Sequence, residues 1–408
     1  MKPNEHTETT VKTALGFFPI KKFHAFHKDA NINYQLNRFL IPGLEDVFAR
    51  IGRHTENYDD WKEQFLTEAS SFEKEGNPGH AMGLYRAAEF FMNPADPDRM
   101  GSIEKFLELF HQSEKGKNIQ QISVPYGNSS LHGFRLTPTV ISKGTILIHG
   151  GFDSYVEEFY TLGELMCENG YDVVMFDGPG QGSTLMFGKV PMTHEWEKPI
   201  TAVLDYLGAD NVTLIGISLG GYLAIRAAAL EKRIQRVIAY DVMLDFFACI
   251  TSRRGRAIEL FIRGLVRLKR SSILNAAARV LMKKDQYAQW GITQGMHVMG
   301  CKTPYEFFVK LKAHNGYATS GLVTGDVLAM AGAEDHFVPL AQFFEQLKLL
   351  ISARSVTGRI FTGREQAQSH CQVGNLGVAA LHMLGWINEH SLNSNDEKAT
   401  QSDRGLRR

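Results

Sequence analysis

The residues with the clearest chemical potential are Gly216-Ile217-Ser218-Leu219-Gly220. The apolar run NVTLI precedes them and the helix-forming GYLAIRAAALEK follows, so Ser218 falls on a strand-to-helix turn. A serine exposed on so sharp a turn needs small neighbours where chain segments crowd together, and Gly216 and Gly220 supply them. A Gly-rich turn with a helix-capping serine is the plain structural alternative. The flanking strand and helix favour a nucleophile.

A serine hydroxyl is a weak nucleophile at neutral pH. It needs an imidazole to take its proton and a carboxylate to orient that imidazole. Sites of this kind built on strand-to-helix turns run in the chain order serine, acid, histidine. Asp335 follows the apolar run DVLAMAG, and His370 lies in the loop TGREQAQSHCQVGN. Asp241 after VIAY, Glu334 and His336 compete for these roles. A histidine adjacent in sequence to the acid rarely reaches both partners, which favours His370 over His336. An oxyanion hole is expected from the amide of Leu219 and that of Gly151 or Phe152, in the loop closing TILIHGGFDS.

Three further residues are candidate substrate contacts: Glu158, Trp290 and His297. The pair Glu157-Glu158 also suits a helix start, where the macrodipole favours acidic residues. Trp290, Met296, His297, Met299 and Phe307 suit an aromatic pocket, although apolar helix stripes more commonly form core. The loop DGPGQG lacks the Lys-Ser/Thr of a phosphate loop and reads as a structural turn beside the site. The histidines show no metal-ligand spacing and no cofactor motif is present, so neither metal nor cofactor is expected.

Short, almost wholly apolar runs (IQQISVPYG, SLHGFRLTP, GTILIHG, YDVVMFDG, NVTLIG, IQRVIAY, TGDVLAMAG and SVTGRIFTG) with helical stretches between several of them predict a mostly parallel sheet covered on both faces. The expected organisation is an N-terminal helical region over 1–116, an α/β core in two parts (117–243 and 321–391), a helical cap over 244–320 and a tail without structure over 392–408.

The chain has 408 residues, 44 Lys/Arg against 44 Asp/Glu, and 44% hydrophobic content. That balance leaves no overall field to draw nucleic acid or anionic lipid, so a small-molecule substrate and neither nucleic acid nor membrane is the expectation. Four scattered cysteines, a polar N-terminus and the absence of a long apolar run fit a cytoplasmic protein.

The blocks NYQLNR, GGFDSYVEE, FDGPGQG, GISLGGY, QWGITQGMHVMG, GAEDHFVP and SHCQVGN, spread over about 23–390, together resemble a particular family. It is the family of α/β hydrolases that includes 2,6-dihydroxypseudooxynicotine hydrolase and the fungal yellowish-green pigment-pathway polyketide hydrolases, related to fermentation-respiration switch proteins. The resemblance implies cleavage of a carbon–carbon bond beside a carbonyl in a diketone-like or polyketide substrate. It also implies Ser218, Asp335 and His370 as triad, a packed N-terminal helical segment and a homodimer. A carboxylesterase, thioesterase or amidase would need the same triad. A cyclisation or condensation catalyst, or a noncatalytic binding protein on this scaffold, are the other readings left open.

Overall fold

The computed structural model describes residues 16–117, 119–251 and 254–405. The polar N-terminus on which the expected location partly rests, and the last three residues, lie outside the described residues.

Eight strands form one sheet: β1 (Gln120–Tyr126), β2 (Ser129–Leu136), β3 (Thr145–His149), β4 (Asp172–Asp177), β5 (Val212–Ile217), β6 (Ile234–Tyr240), β7 (Asp326–Gly332) and β8 (Ser355–Phe361). Their spatial order is β1-β2-β4-β3-β5-β6-β7-β8. β2 runs antiparallel to both β1 and β4, and every other pairing is parallel. This is the α/β-hydrolase topology. The central strands are apolar throughout because both faces are covered. Leu147, Leu214, Val237 and Val327 join one core cluster, while Ile146, Ile148, Ile215 and Leu328 join the other.

The N-terminal helices are Ala30–Phe39, Glu45–His54, Tyr58–Lys74, Pro78–Glu89 and Pro97–Gln112. They have a core of their own around Phe48, Trp61, Phe65 and Leu84. Asp29 caps the first of them, accepting hydrogen bonds from the amides of Asn31 and Ile32 at 2.9 and 3.1 Å. Between β6 and β7 come the helices Phe246–Thr251, Arg256–Arg267, Ser271–Lys284, Gln286–Val298 and Pro304–Ala313. Trp290, on the fourth of these, packs on Phe90 and Phe91 and donates to the Phe90 carbonyl at 3.0 Å, tying cap to N-terminal region.

The expected unstructured tail needs correcting. The final helix runs Leu376–Gly405, so the backbone stays helical through 392–405. That stretch holds Glu397, Lys398 and Ala399, good helix formers, and meets no proline; low apolar content alone does not end a helix.

Candidate functional site

All the elements predicted to carry chemistry end at the same edge of the sheet, the carboxyl ends of the parallel strands. β5 delivers Ser218, whose φ of 62° and ψ of −123° lift the side chain off the strand line. Crowding explains the glycines around it. A Cβ on Gly216 would lie 2.0 Å from the Gly220 carbonyl oxygen, and one on Gly220 would lie 2.6 Å from that of Gly150.

His370 lies on a short turn beyond β8 and Asp335 in the loop after β7. The Ser218 hydroxyl is 2.8 Å from His370 Nε2, and His370 Nδ1 is 2.6 Å from Asp335 Oδ2. The amides of Phe337 and Val338 donate to Asp335 Oδ1 at 2.7 and 3.0 Å, which fixes the carboxylate plane. Burial pushes the Asp335 carboxyl upward. The adjoining imidazole and the two amides outweigh it and hold the group below its ordinary value. Burial likewise works against a charged His370, but the Asp335 carboxylate outweighs it and holds the imidazole well above its ordinary value.

Asp241, at the end of β6, sits 3.6 Å from His370 Nδ1 and takes no direct hydrogen bond from it. Its carboxylate instead accepts from the Cys371 amide at 2.7 Å and from Gln372 Nε2 at 2.9 Å, so it holds the loop that carries the imidazole. Burial raises Asp241 to about 7. Cys371 and Gln372 have φ of 48° and 51°, a left-handed stretch, and Tyr240 steadies it by donating to the Cys371 carbonyl at 2.8 Å. Asp241, His370 and Cys371 could together approach a metal ion. Their polar atoms are already committed, and burial pushes the Cys371 thiol up, away from the thiolate a metal would need.

Gly151 lies against the Ser218 turn: a Cβ there would be 2.8 Å from the Leu219 amide nitrogen. Leu219 opens the Leu219–Leu230 helix, where backbone N–H groups have no partner within the helix. Gln181 of the DGPGQG loop donates to the Gly150 and Gly151 carbonyls at 2.6 and 3.0 Å, so that loop braces the Gly151 turn. Phe152 reaches across to Phe246 of the cap, ring centroids 5.4 Å apart.

The N-terminal helix Ala30–Phe39 enters the site in a way the sequence did not announce. Tyr34 donates to the His370 carbonyl at 3.1 Å. One helical turn on, Arg38 binds the Asp153 carboxylate at 2.9 Å and Glu158 at 3.1 Å, and Arg86 donates to the Asp153 carbonyl at 2.5 Å. A single helix face thus grips both the imidazole loop and the loop that carries Gly151 and Phe152. The NYQLNR block was the only signal, and it named no role.

Above Ser218 opens a cavity of about 1330 Å³, lined by residues of the core, the cap and the N-terminal region, among them Phe152, Met243, Phe246, Trp290 and Phe337. Glu158 also lines it, but its carboxylate is taken up by Arg38, by Arg86 at 2.9 Å and by the Tyr155 amide. His297, the third expected contact, is not among the residues that line it. Its helix meets the cavity through Trp290, Gly291 and Ile292, more than a turn before His297, and burial lowers the His297 pKa to about 4. Met299 and Phe307 are core residues.

Comparison with known proteins agrees with this architecture. A family model described as the alpha/beta hydrolase fold matches residues 146–254. Hydrolase LUC6 from a Fusarium species is 29% identical over 379 residues, covering 81% of this chain and 87% of that protein. Hydrolyase poxO from Penicillium oxalicum is 30% identical over 326 residues, covering 69% and 76%. Among solved structures, 2,6-dihydroxy-pseudo-oxynicotine hydrolase superposes with a TM-score of 0.58 at 17% identity, over 93% of this chain and 96% of that one.

Proposed function

The chain belongs to the α/β-hydrolase family, and on that premise we propose that it is a serine hydrolase that cleaves a carbon–carbon bond beside a carbonyl in a diketone-like or polyketide small molecule. Ser218 attacks the carbonyl carbon while His370 takes its proton, and Asp335 holds the imidazole in the required tautomer and stabilises its charged form. The Leu219 amide, with that of Gly151 or Phe152, receives the developing oxyanion. Collapse expels the leaving carbon as an enolate, which the imidazolium protonates. Water, activated by the same imidazole, then releases the acyl group.

The observation that carries this reading is the continuous Ser218–His370–Asp335 chain, with contacts of 2.8 and 2.6 Å, at the floor of the large cavity. The cavity supports the substrate class by its size, above the ~300–1,000 Å³ typical of small-ligand sites, and by its aromatic lining. The resemblance of the GGFDSYVEE and SHCQVGN blocks supports carbon–carbon cleavage. An ester, thioester or amide hydrolase would use the same groups.

Mass-spectrometric product analysis separates these readings, with wild-type protein and Ser218→Ala incubated with aryl 1,3-diketones and matched esters and amides. Ser218-dependent shortening of a diketone is expected. Cleavage confined to esters or amides overturns the carbon–carbon assignment, and full turnover by Ser218→Ala overturns the nucleophile.

A further inference from the structure

Overall neutrality conceals a strongly polarised part of the cap. Residues 253–284 carry ten Lys/Arg and a single acidic residue, Glu259. Two helices span most of it, Arg256–Arg267 and Ser271–Lys284, joined by a tight turn at Lys269. They bury Leu265, Val266, Leu274 and Ala278. Outward they turn Leu260, Phe261 and Leu268 from the first helix and its end, and Ile273 and Val280 from the second, each between 53 and 65% exposed. The seven-residue steps from Phe261 to Leu268 and from Ile273 to Val280 keep each of these two pairs on one helix face, with Leu260 about 100° round from Phe261. Around them Arg256, Arg267, Lys269, Arg270, Lys283 and Lys284 are exposed and form no ion pair with any described residue.

We propose that this face of the cap is a docking surface for an anionic membrane interface. Large apolar side chains clustered on a surface mark a site that something covers. A basic rim requires the covering surface to be negative, and apolar side chains set among Lys and Arg are the pattern of a helix lying in a lipid headgroup layer. A second copy of the same face would bring like charges together. No helix among the described residues is long and apolar enough to cross a membrane, so the protein lies on the bilayer and not through it. The expectation of no membrane contact rested on net charge, which is blind to a local field.

The same two helices form part of the cavity wall. Ile258, Ile262, Leu281 and Lys284 line it, and Ile258 is also 42% exposed. The cavity therefore reaches the surface beside the docking face. If the substrate is apolar, as in the proposed function, it enters from the bilayer side; the docking itself does not depend on that reading.

The test is flotation of the full chain with vesicles of phosphatidylcholine alone or with one-third phosphatidylserine, alongside hydrolysis of a soluble p-nitrophenyl ester. Binding at least about tenfold stronger to the anionic vesicles is expected, falling as salt rises. Leu260→Ser with Phe261→Ser, and separately Lys269→Glu with Arg270→Glu, should each weaken binding by about tenfold or more and leave ester hydrolysis unchanged. Absence of binding, or binding indifferent to lipid charge and to both variants, overturns the proposal. So does a dimer in light scattering that the Leu260/Phe261 variant dissociates, or retention on polyglutamate without vesicle binding, which indicates an acidic protein partner. Absence of ester hydrolysis in all forms bears on the hydrolase reading alone.

Discussion

Replacing Asp335 by Asn tests whether a second carboxylate stands behind the first. In a Ser-His-Asp site with one acid, this change costs about 10⁴-fold in kcat, because the amide favours the wrong imidazole tautomer and removes the charge that stabilises the imidazolium. Here Asp241 stays at 3.6 Å from His370 Nδ1, against 2.6 Å for Asp335. At an effective dielectric constant of about 20, moving the compensating charge between those distances loses about 2 kcal/mol, roughly a 20-fold rate effect. Asp335→Asn is therefore expected to retain activity well above the 10⁻⁴ level, between about 20- and 100-fold below wild type. Adding Asp241→Asn should remove the remainder. The compensation requires an ionised Asp241, which burial holds at about 7. Because the ionised form is the useful one, residual activity should rise with pH toward that value and vanish in acid; loss of the Asp335 charge moves the limb downward. Steady-state hydrolysis of a p-nitrophenyl ester between about pH 5 and 9 measures this. A loss of about 10⁴-fold in Asp335→Asn at every pH, unchanged by the second substitution, refutes the reasoning.

Three further outcomes follow from the geometry. In wild type, His370 must be neutral to accept a proton and Asp335 raises its pKa, so kcat/KM should fall as pH drops through a value above 6.5; a pH–rate profile checks the position of that limb. Gly151→Ala places a methyl group 2.8 Å from both the Leu219 nitrogen and the Ile217 carbonyl oxygen, backbone atoms that must shift, and should cost about 10²-fold in kcat together with a fall in thermal midpoint. Tyr34→Phe and Arg38→Met should each lower kcat about tenfold with KM within about threefold, while Arg50→Met, which breaks an exposed ion pair with Glu68, changes neither; a loss confined to thermal stability would count against the two-loop grip.

The central strands were legible because they are buried on both faces, so their apolar runs stood out against polar turns, while the edge strands β1 and β8 alternate buried with more exposed positions. The Ser218 turn was legible for a related reason: the close approach at Gly216 and Gly220 restricts which residues fit, and that restriction is local. Asp241 was noticed only as a rival acid. What its carboxylate does depends on the fold of the Cys371-Gln372 turn, 130 residues later. Tyr34 and Arg38 read as ordinary helical residues because their partners lie 336 and 115 positions away, and no local pattern encodes such pairings. His297 shares a helix face with Trp290, which lines the cavity, but periodicity gives the face and not how far along the helix the cavity reaches.

The bond from Tyr34 to the His370 carbonyl spans nearly the whole chain, and this bears on when activity can first arise during synthesis. The helix that carries Tyr34 leaves the ribosome early, the Ser218 turn follows midway, and the His370 imidazole comes late. No chain that ends before His370 brings Ser218, Asp335 and His370 together. A nascent polypeptide that has folded its N-terminal helices and its first six strands still lacks Asp335 and His370, so on the proposed reading reactivity arises only once the chain has passed His370.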